Sequence, residues 1–159
     1  MKAAVLTVSD GVAQGERDDE SGSLLQELLA EDGYEVVRRV VPDERTEIAE
    51  AIEELTDEAS LVFTTGGTGV APRDVTPEAT ASVLERQVPG IAEAVRADAA
   101  RRTPHGLLSR GVAGVRGSAM VVNLPGSPGG CRDGYAVLRE ALPHGLKLLA
   151  GEQGGHRQT

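Results

Sequence analysis

Short apolar runs alternate with stretches of helical periodicity along most of this sequence. Residues 3–8 form an apolar run that is interrupted only by Thr7, which is typical of a strand buried on both faces. Between residues 48 and 55, apolar side chains instead recur at the i, i+3, i+4 and i+7 positions of an amphipathic helix. Strands that alternate with helices predict the α/β class, with a mostly parallel sheet covered by helices on both faces.

The remaining elements follow the same alternation. Further strands are predicted at residues 36–41, 61–63 and 119–124. Residues suited to helix N-caps precede the helices between them, namely Ser21, Asp43 and Thr76. Residues 10–20 are predicted to form a polar loop, a helix is predicted at 91–101, and Pro143 is expected to break or kink the closing helix.

Length and composition bound the remaining possibilities. The 159 residues fit a single domain, predicted at 1–150, followed by a polar tail at 151–159. A net charge of −9 and only 2% aromatic residues argue against nucleic-acid binding, which needs a basic surface or aromatic platforms for bases. No stretch approaches the roughly 20 apolar residues of a membrane helix, and the N-terminal apolar run is too short for a signal peptide. A cytoplasmic location is therefore expected, with no membrane partner.

Cysteine and histidine offer little chemistry in this chain. Cys131 is the only cysteine, which excludes an internal disulfide and a Cys-based zinc site. The three histidines show neither the spacing of a metal site nor that of a catalytic triad. Cys131 is interpreted as a packing residue, although its position at a helix start would lower its pKa.

Polar or Gly-rich segments follow each of the four predicted strands. They are Ser9-Asp10, Pro42-Asp43, residues 64–69 and residues 125–130. Parallel strands would bring all four segments to one edge of the sheet, where ligands bind in open α/β folds. This convergence predicts a ligand site at the carboxyl ends of the strands.

The segment 64–69 contains three glycines and three threonines. Glycines let backbone N–H groups approach a phosphate closely, and hydroxyls add donors, so the segment predicts an anion-binding loop. It lacks the Gly-Lys-Ser/Thr ending of a Walker A loop and the third glycine of the dinucleotide fingerprint. A Gly-rich turn without a ligand is the alternative.

Asp74 lies between this loop and the helix predicted at Thr76. A carboxylate beside phosphates repels them unless a cation lies between, so Mg²⁺ coordination is one interpretation. The other is a loop-closing Asp bonded to the backbone near Thr76, and spacing favours neither. By spacing alone Asp43 is a helix cap, Asp10 a turn former and Ser9 the end of a strand.

Two further segments add polar groups to the candidate site. Asn123 leads into a second loop formed by Pro125, Gly126, Ser127 and Pro128, and a tight crossover without a ligand is the alternative there. Ser109 and Arg110 offer a hydroxyl and a guanidinium suited to phosphate. Arg110 alone is more often a surface ion-pair former.

Motifs spread over nearly the whole chain carry a resemblance to a known family. They are Thr7-Val8-Ser9-Asp10, Asp19-Glu20-Ser21-Gly22, Val41-Pro42-Asp43, Thr65-Gly66-Gly67-Thr68-Gly69, Pro72-Arg73-Asp74-Val75-Thr76-Pro77-Glu78-Ala79-Thr80, Leu108-Ser109-Arg110 and Asn123-Leu124-Pro125-Gly126-Ser127-Pro128. Together they resemble the molybdopterin adenylyltransferase family of molybdenum-cofactor biosynthesis, the Mog/MoaB-like domain also found in gephyrin. The stretch 66–80 is the most specific part.

The resemblance implies a three-layer α/β/α sandwich of the molybdopterin-binding-like fold, assembled as a homotrimer or sometimes a hexamer. It implies a nucleotidyltransferase that moves AMP from Mg-ATP to the molybdopterin phosphate and releases pyrophosphate. A molybdenum-insertion protein would act downstream. Because the attacking phosphate oxygen is ionised at neutral pH, such a reaction needs positioning and charge neutralisation more than a general base.

The resemblance also assigns roles to residues. Asp43 and Asp74 match the catalytic aspartates, with Asp74 the candidate Mg²⁺ ligand. The implied substrate- and nucleotide-binding residues are Ser9, Asp10, Ser21, Gly22, Thr65, Gly66, Gly67, Thr68, Gly69, Ser109, Arg110, Asn123, Pro125, Gly126, Ser127 and Pro128. Glu20 stands where the family commonly has Arg, and Ser127 where Asn is frequent. A MoaB-like protein that binds molybdopterin without efficient catalysis is the alternative function.

Overall fold

The computed structural model describes residues 1–152, so most of the predicted tail lies outside the described residues. The strands are β1 (Lys2–Val8), β2 (Glu35–Val41), β3 (Leu61–Thr65), β4 (Arg86–Gln87), β5 (Ala113–Arg116) and β6 (Ala119–Leu124). The α-helices are α1 (Asp10–Ala13), α2 (Glu20–Glu31), α3 (Arg45–Glu58), α4 (Thr76–Val83), α5 (Pro89–Arg102), α6 (Pro128–Leu138) and α7 (Leu142–Leu149). A 3₁₀ helix spans Pro104–Leu108.

All these strands belong to one sheet in the order β2-β1-β3-β6-β5-β4. The four strands from β2 to β6 in that order are parallel, while β5 runs antiparallel to β6 and β4 antiparallel to β5. The predicted α/β class with a mostly parallel sheet is confirmed. Sequence analysis missed β4 and β5, which are short, and β4 is exposed without any apolar alternation.

Two apolar cores lie on opposite faces of the sheet. Along β1, Ala3 and Val5 pack into the core shared with α2, α5, α6 and α7. Ala4 and Leu6 pack into the other core, which α3 and α4 cover. Because consecutive strand residues point to opposite faces, one apolar run supplies both cores. The predicted three-layer sandwich is confirmed.

The predicted N-caps of three helices are wrong, and for α4 the cap residue is Val75 in place of Thr76. Asp19, not Ser21, caps α2, and its Oδ1 accepts from the Gly22 N–H at 3.0 Å. Ser21 lies one position inside the helix and is buried. Helix α3 begins at Arg45 after Glu44, which makes no side-chain cap bond, and the Asp43 carboxylate bonds elsewhere.

Other element boundaries differ by smaller amounts. Thr76 is the first residue of α4, and its Oγ1 donates to the Gly66 carbonyl oxygen at 2.9 Å. The predicted polar loop at 10–20 contains the short helix α1, capped by Ser9, whose Oγ accepts from the Val12 N–H at 3.2 Å. The predicted break near Pro143 falls between α6 and α7. Within residues 1–152, none of the helices has the length and apolar character needed to cross a membrane.

Candidate functional site

A cavity of about 850 Å³ opens at the carboxyl ends of the parallel strands. Its wall includes Ser9 after β1, Asp43 after β2, Gly66 and Gly67 after β3, and Gly126 after β6. The four segments that follow the predicted strands therefore meet, as parallel strand order requires.

The first Gly-rich loop has a backbone that only glycine adopts without strain. Gly66 and Gly67 have φ values of 98° and 68°, in the left-handed region. A Cβ on Gly66 would lie 2.3 Å from the Val8 carbonyl oxygen, so β1 and the loop approach more closely than a side chain allows. A Cβ on Gly126 would lie 3.3 Å from the Gly66 Cα, which places the two Gly-rich loops in contact.

Side-chain hydroxyl groups hold these loops in place through hydrogen bonds. Thr65 Oγ1 donates to the Pro125 carbonyl oxygen at 2.8 Å and lies 3.0 Å from the Ser21 Oγ. Cys131 packs beneath them, with its Sγ 3.1 Å from the same Pro125 oxygen. Burial raises the pKa of the Cys131 thiol to about 11, so the expected lowering by a helix start is wrong. This cysteine is a protonated packing residue at neutral pH.

Asp43 and Asp74 both line the cavity. Burial, and then the nearby charges of Asp10 and Asp74, raise the pKa of Asp43 above its ordinary value. Asp74 Oδ2 accepts from the Ala71 N–H at 2.9 Å, so the aspartate does close its loop, although not near Thr76. Its position in the wall leaves both interpretations of this residue compatible with the structure.

Asp10 holds Asp43 instead of facing the cavity. The Asp10 N–H donates to Asp43 Oδ2 at 2.9 Å, and the Asp43 N–H donates to Asp10 Oδ1 at 3.0 Å. Arg73 adds two bonds to the Asp10 carboxylate, at 2.7 and 3.1 Å, and one to the Asp43 carbonyl oxygen at 3.1 Å. Hydrogen bonding to Arg73 lowers the pKa of Asp10. Arg73 thus ties the loop that carries Asp74 to the ends of β1 and β2.

Arg110 braces the same loop from the opposite side. Its Nε donates to the Gly69 carbonyl oxygen at 2.7 Å and its Nη2 to the Asp74 carbonyl oxygen at 2.7 Å. Its Nη1 pairs with Glu78. The guanidinium is committed to the protein, so the structure favours the ion-pair interpretation over direct contact with phosphate.

The structure brings ten of the predicted site residues to the cavity wall. These are Ser9, Ser21, Asp43, Thr65, Gly66, Gly67, Asp74, Gly126, Ser127 and Pro128. The others lie outside the wall, namely Asp10, Gly22, Thr68, Gly69, Ser109, Arg110, Asn123 and Pro125. Asn123 is buried, with its Nδ2 donating to Thr64 Oγ1 at 2.8 Å and to Thr80 Oγ1 at 3.0 Å, so its amide serves the interior.

Sequence reasoning missed most of the segment that closes the cavity between α1 and α2. Glu16, Arg17, Asp18, Asp19 and Glu20 all line the wall. Asp19 accepts from Thr7 Oγ1 at 2.8 Å and pairs with Arg38 at 2.6 Å, which pins this segment to the sheet. The signal that could have found it is Asp19 itself, since Asp is among the residues preferred at a helix N-cap.

The longer helices α2 and α6 both begin at the cavity wall, and their N-termini differ in charge. Helix α2 begins with the carboxylates of Asp19 and Glu20. Helix α6 spans 11 residues, has no acidic residue in its first turn, and is capped by Ser127. Because an N-terminus attracts anions, the free end of α6 beside the two Gly-rich loops is the better position for a phosphate.

The donor set suits a hard divalent cation only if a ligand contributes to it. Within residues 1–152, no group of three or more His, Cys, Asp or Glu side chains could hold a metal alone. Asp43 and Asp74 offer carboxylate oxygens in one wall, where burial raises the pKa of Asp43 and so disfavours its ionised form. Mg²⁺ commonly binds one or two carboxylates together with substrate phosphates and water, which fits these residues.

Comparison with known proteins gives concordant matches. The family model described as "Probable molybdopterin binding domain" matches residues 4–144. The molybdopterin adenylyltransferase of Helicobacter pylori is 38% identical over 152 residues, covering 92% of this chain and 86% of that protein. The crystal structure of the molybdopterin biosynthesis enzyme MoaB from Thermus thermophilus has 46% identity and a TM-score of 0.87, covering 94% and 96% of the two chains.

A longer relative matches as well. The molybdenum cofactor synthesis protein cinnamon of Drosophila melanogaster is 36% identical over 159 residues, covering 98% of this chain. The chain spans only 26% of the length of that protein. The similarity therefore concerns one part of cinnamon.

Proposed function

Because the chain belongs to the molybdopterin binding domain family, we propose that it transfers AMP from ATP to the terminal phosphate of molybdopterin and releases pyrophosphate. At the coarser level it is a MoaB/Mog-like protein of molybdenum-cofactor biosynthesis. The observation that carries the finer proposal is the meeting of Asp43 and Asp74 with both Gly-rich loops in one cavity.

The chain's own groups supply the positioning that this reaction needs. A phosphate oxygen of molybdopterin would attack the α-phosphorus of ATP, forming one P–O bond while the bond to the pyrophosphate oxygen breaks. The attacking oxygen is already ionised at neutral pH, so the reaction does not require a histidine, and none of the described residues of the cavity wall is one. The loop at Gly66 and Gly67 and the start of α6 would hold phosphates in place.

Asp43 and Asp74 are the residues that would hold Mg²⁺ between the protein and the nucleotide. When bound, the ion would neutralise charge that develops on the phosphates. The role of Asp10, Arg73 and Arg110 is then to keep the two carboxylates at a fixed separation. None of these three needs to touch the substrate.

Release of pyrophosphate tests the proposal. Purified protein with ATP, molybdopterin and Mg²⁺ should release pyrophosphate, and release should stop when any one of the three is omitted. Asp74→Asn should lower the rate by about 100-fold, the range seen when one electrostatic group is lost from an active site. A matched control is Asp57→Asn on the exposed surface of α3, which should keep the wild-type rate. Bound ligands without any pyrophosphate would refute the proposal.

One observation favours a second candidate function. The described residues of the cavity wall include six carboxylates and one arginine, a poor balance for a triphosphate without cations. A MoaB-like protein that binds molybdopterin without efficient catalysis would tolerate this balance. Asp74→Ala discriminates between the two, since it should abolish turnover in an enzyme and change only ligand affinity in a binding protein.

A further inference from the structure

Among residues 1–152, Arg17 is the only basic side chain that lines the cavity. The acidic residues of the wall are Glu16, Asp18, Asp19, Glu20, Asp43 and Asp74. Of these, Asp19 is already neutralised from outside the wall by Arg38, at 2.6 Å. A ligand that carries phosphates therefore meets one positive side chain within a largely negative wall.

Contacts with Ser9 and Gly11 hold the Arg17 side chain in place. Its Nη2 donates to Ser9 Oγ at 3.1 Å. Its stem lies across Gly11, where an ideal Cβ would be 2.9 Å from Arg17 Nε and 3.5 Å from its Cγ. The absence of a side chain at Gly11 thus lets the guanidinium lie beside the end of β1.

The Arg17 guanidinium forms no ion pair with the carboxylates of residues 1–152, although four carboxylates lie within three residues of it in the sequence. Arg73 and Arg110, in contrast, are each held by several bonds to the loops around them. With one of its N–H groups on Ser9, the Arg17 fork keeps donors for a ligand.

We propose that Arg17 binds a phosphate group of the ligand in this cavity and sets the preference of the site for phosphorylated ligands. The class of ligand rests on the proposed function. The assignment of phosphate binding to Arg17 rests on its contacts with Ser9 and Gly11 and on its unpaired charge. Phosphate accepts the two parallel N–H groups of a guanidinium, and within the described part of the chain no other cationic side chain of the wall can provide them. The phosphate is that of the nucleotide or that of the pterin.

The test measures equilibrium binding of ATP, AMP, adenosine and molybdopterin to the full chain in the presence of Mg²⁺. Arg17→Ala should weaken the binding of a phosphorylated ligand by about tenfold or more, as expected for a lost charge-assisted hydrogen bond. Adenosine, which has no phosphate, should bind equally to both proteins. Arg86→Ala is the matched control, since Arg86 is an exposed arginine on β4, the edge strand of the antiparallel part of the sheet.

A second variant displaces Arg17 without removing its charge. Gly11→Ala places a methyl group against the Arg17 stem, and the flexible end of that side chain can move aside without disturbing the fold. Gly11→Ala should weaken binding of the phosphorylated ligand in the wild-type background. It should have no further effect in the Arg17→Ala background, because the group it displaces is already gone.

The results separate the phosphate sources and the possible failures. Weaker ATP binding with unchanged molybdopterin binding assigns Arg17 to the nucleotide phosphate, and the reverse pattern assigns it to the pterin phosphate. If wild-type protein binds these ligands and Arg17→Ala binds them equally well, the assignment of Arg17 is overturned and the proposed function stands. If wild-type protein binds neither ATP nor molybdopterin, both are overturned.

Discussion

Asp43 occupies an environment that disfavours its own ionised form. The residue is half-buried, and burial followed by the charges of Asp10 and Asp74 raises its pKa. Its carboxylate accepts the Asp10 N–H, which only partly offsets this cost. A cation shared with a phosphate ligand would supply the missing compensation, so the energetic cost and the proposed role have one origin.

Asp43→Asn should therefore stabilise the free protein while it lowers turnover. A group whose pKa is higher in the folded than in the unfolded chain contributes stability at low pH and loses it as pH rises through the folded pKa. At pH 7 the ionised Asp43 destabilises the fold, and the asparagine should raise the free energy of unfolding by roughly 1 kcal/mol or less. Urea denaturation measures this change.

Acidification provides the internal control for that prediction. Below the ordinary pKa of an aspartate, Asp43 is protonated in both states, so the stability difference between Asp43→Asn and wild type should vanish. The Mg²⁺ dependence of ATP binding should weaken as pH falls through the raised pKa in the wild type, and not in the variant. A variant that is less stable than wild type at pH 7 would contradict this account of Asp43.

The loop between β3 and α4 owes its path to glycine. Gly66→Ala should destabilise the protein by roughly 3 kcal/mol or more, because it combines a strained φ with a Cβ 2.3 Å from the Val8 carbonyl oxygen. Gly33→Ala is the matched control: its φ is 89°, but a Cβ there meets nothing within 4 Å. In that variant only the strained φ lowers the free energy of unfolding, by roughly 1 kcal/mol. Equal losses in the two variants would show that the close approach of β1 is unimportant.

The clamp made by Arg73 fixes one loop against two strands. Arg73→Gln should lower turnover by about tenfold and raise the Mg²⁺ concentration needed for half-maximal rate, because the Asp74 loop is no longer held to Asp10 and Asp43. Arg73→Lys should restore part of the rate, since it keeps the charge without the planar fork. Arg39→Gln, which breaks a surface pair with Glu54, is the control. An unchanged Mg²⁺ dependence in Arg73→Gln would exclude a positioning role.

Sequence patterns predict the position of the loops better than the destinations of their side chains. Apolar runs identify parallel strands, and parallel strands place Ser9, Asp43, Gly66 and Gly126 together whatever the details of packing. The partners of Asp10 are separated from it by 33 and 63 residues, and those contacts depend on the assembled sheet. For the same reason, local sequence could not predict that Arg110 holds the loop that carries Asp74.

At the scale of the whole molecule, the sheet positions the site at the carboxyl ends of its parallel strands. Helices cover both faces, so the carboxyl ends of β1, β2, β3 and β6 are the place where loops can enclose a ligand. The antiparallel strands β4 and β5 extend the sheet away from that site. Alternating apolar runs were enough to predict this plan, although not the short strands β4 and β5. The homotrimer and the cytoplasmic location stay predictions from the resemblance and the composition.

Transfer of the α-phosphate of ATP to molybdopterin is the measurement closest to the central proposal. Protein in excess over molybdopterin would be mixed with ATP labelled at the α-phosphate, with Mg²⁺ or with a chelator. We expect label to appear on molybdopterin with one pyrophosphate released for each labelled product, and neither to form in the chelator. Label that stays in ATP while both ligands are bound with Mg²⁺ would contradict adenylyl transfer at this site.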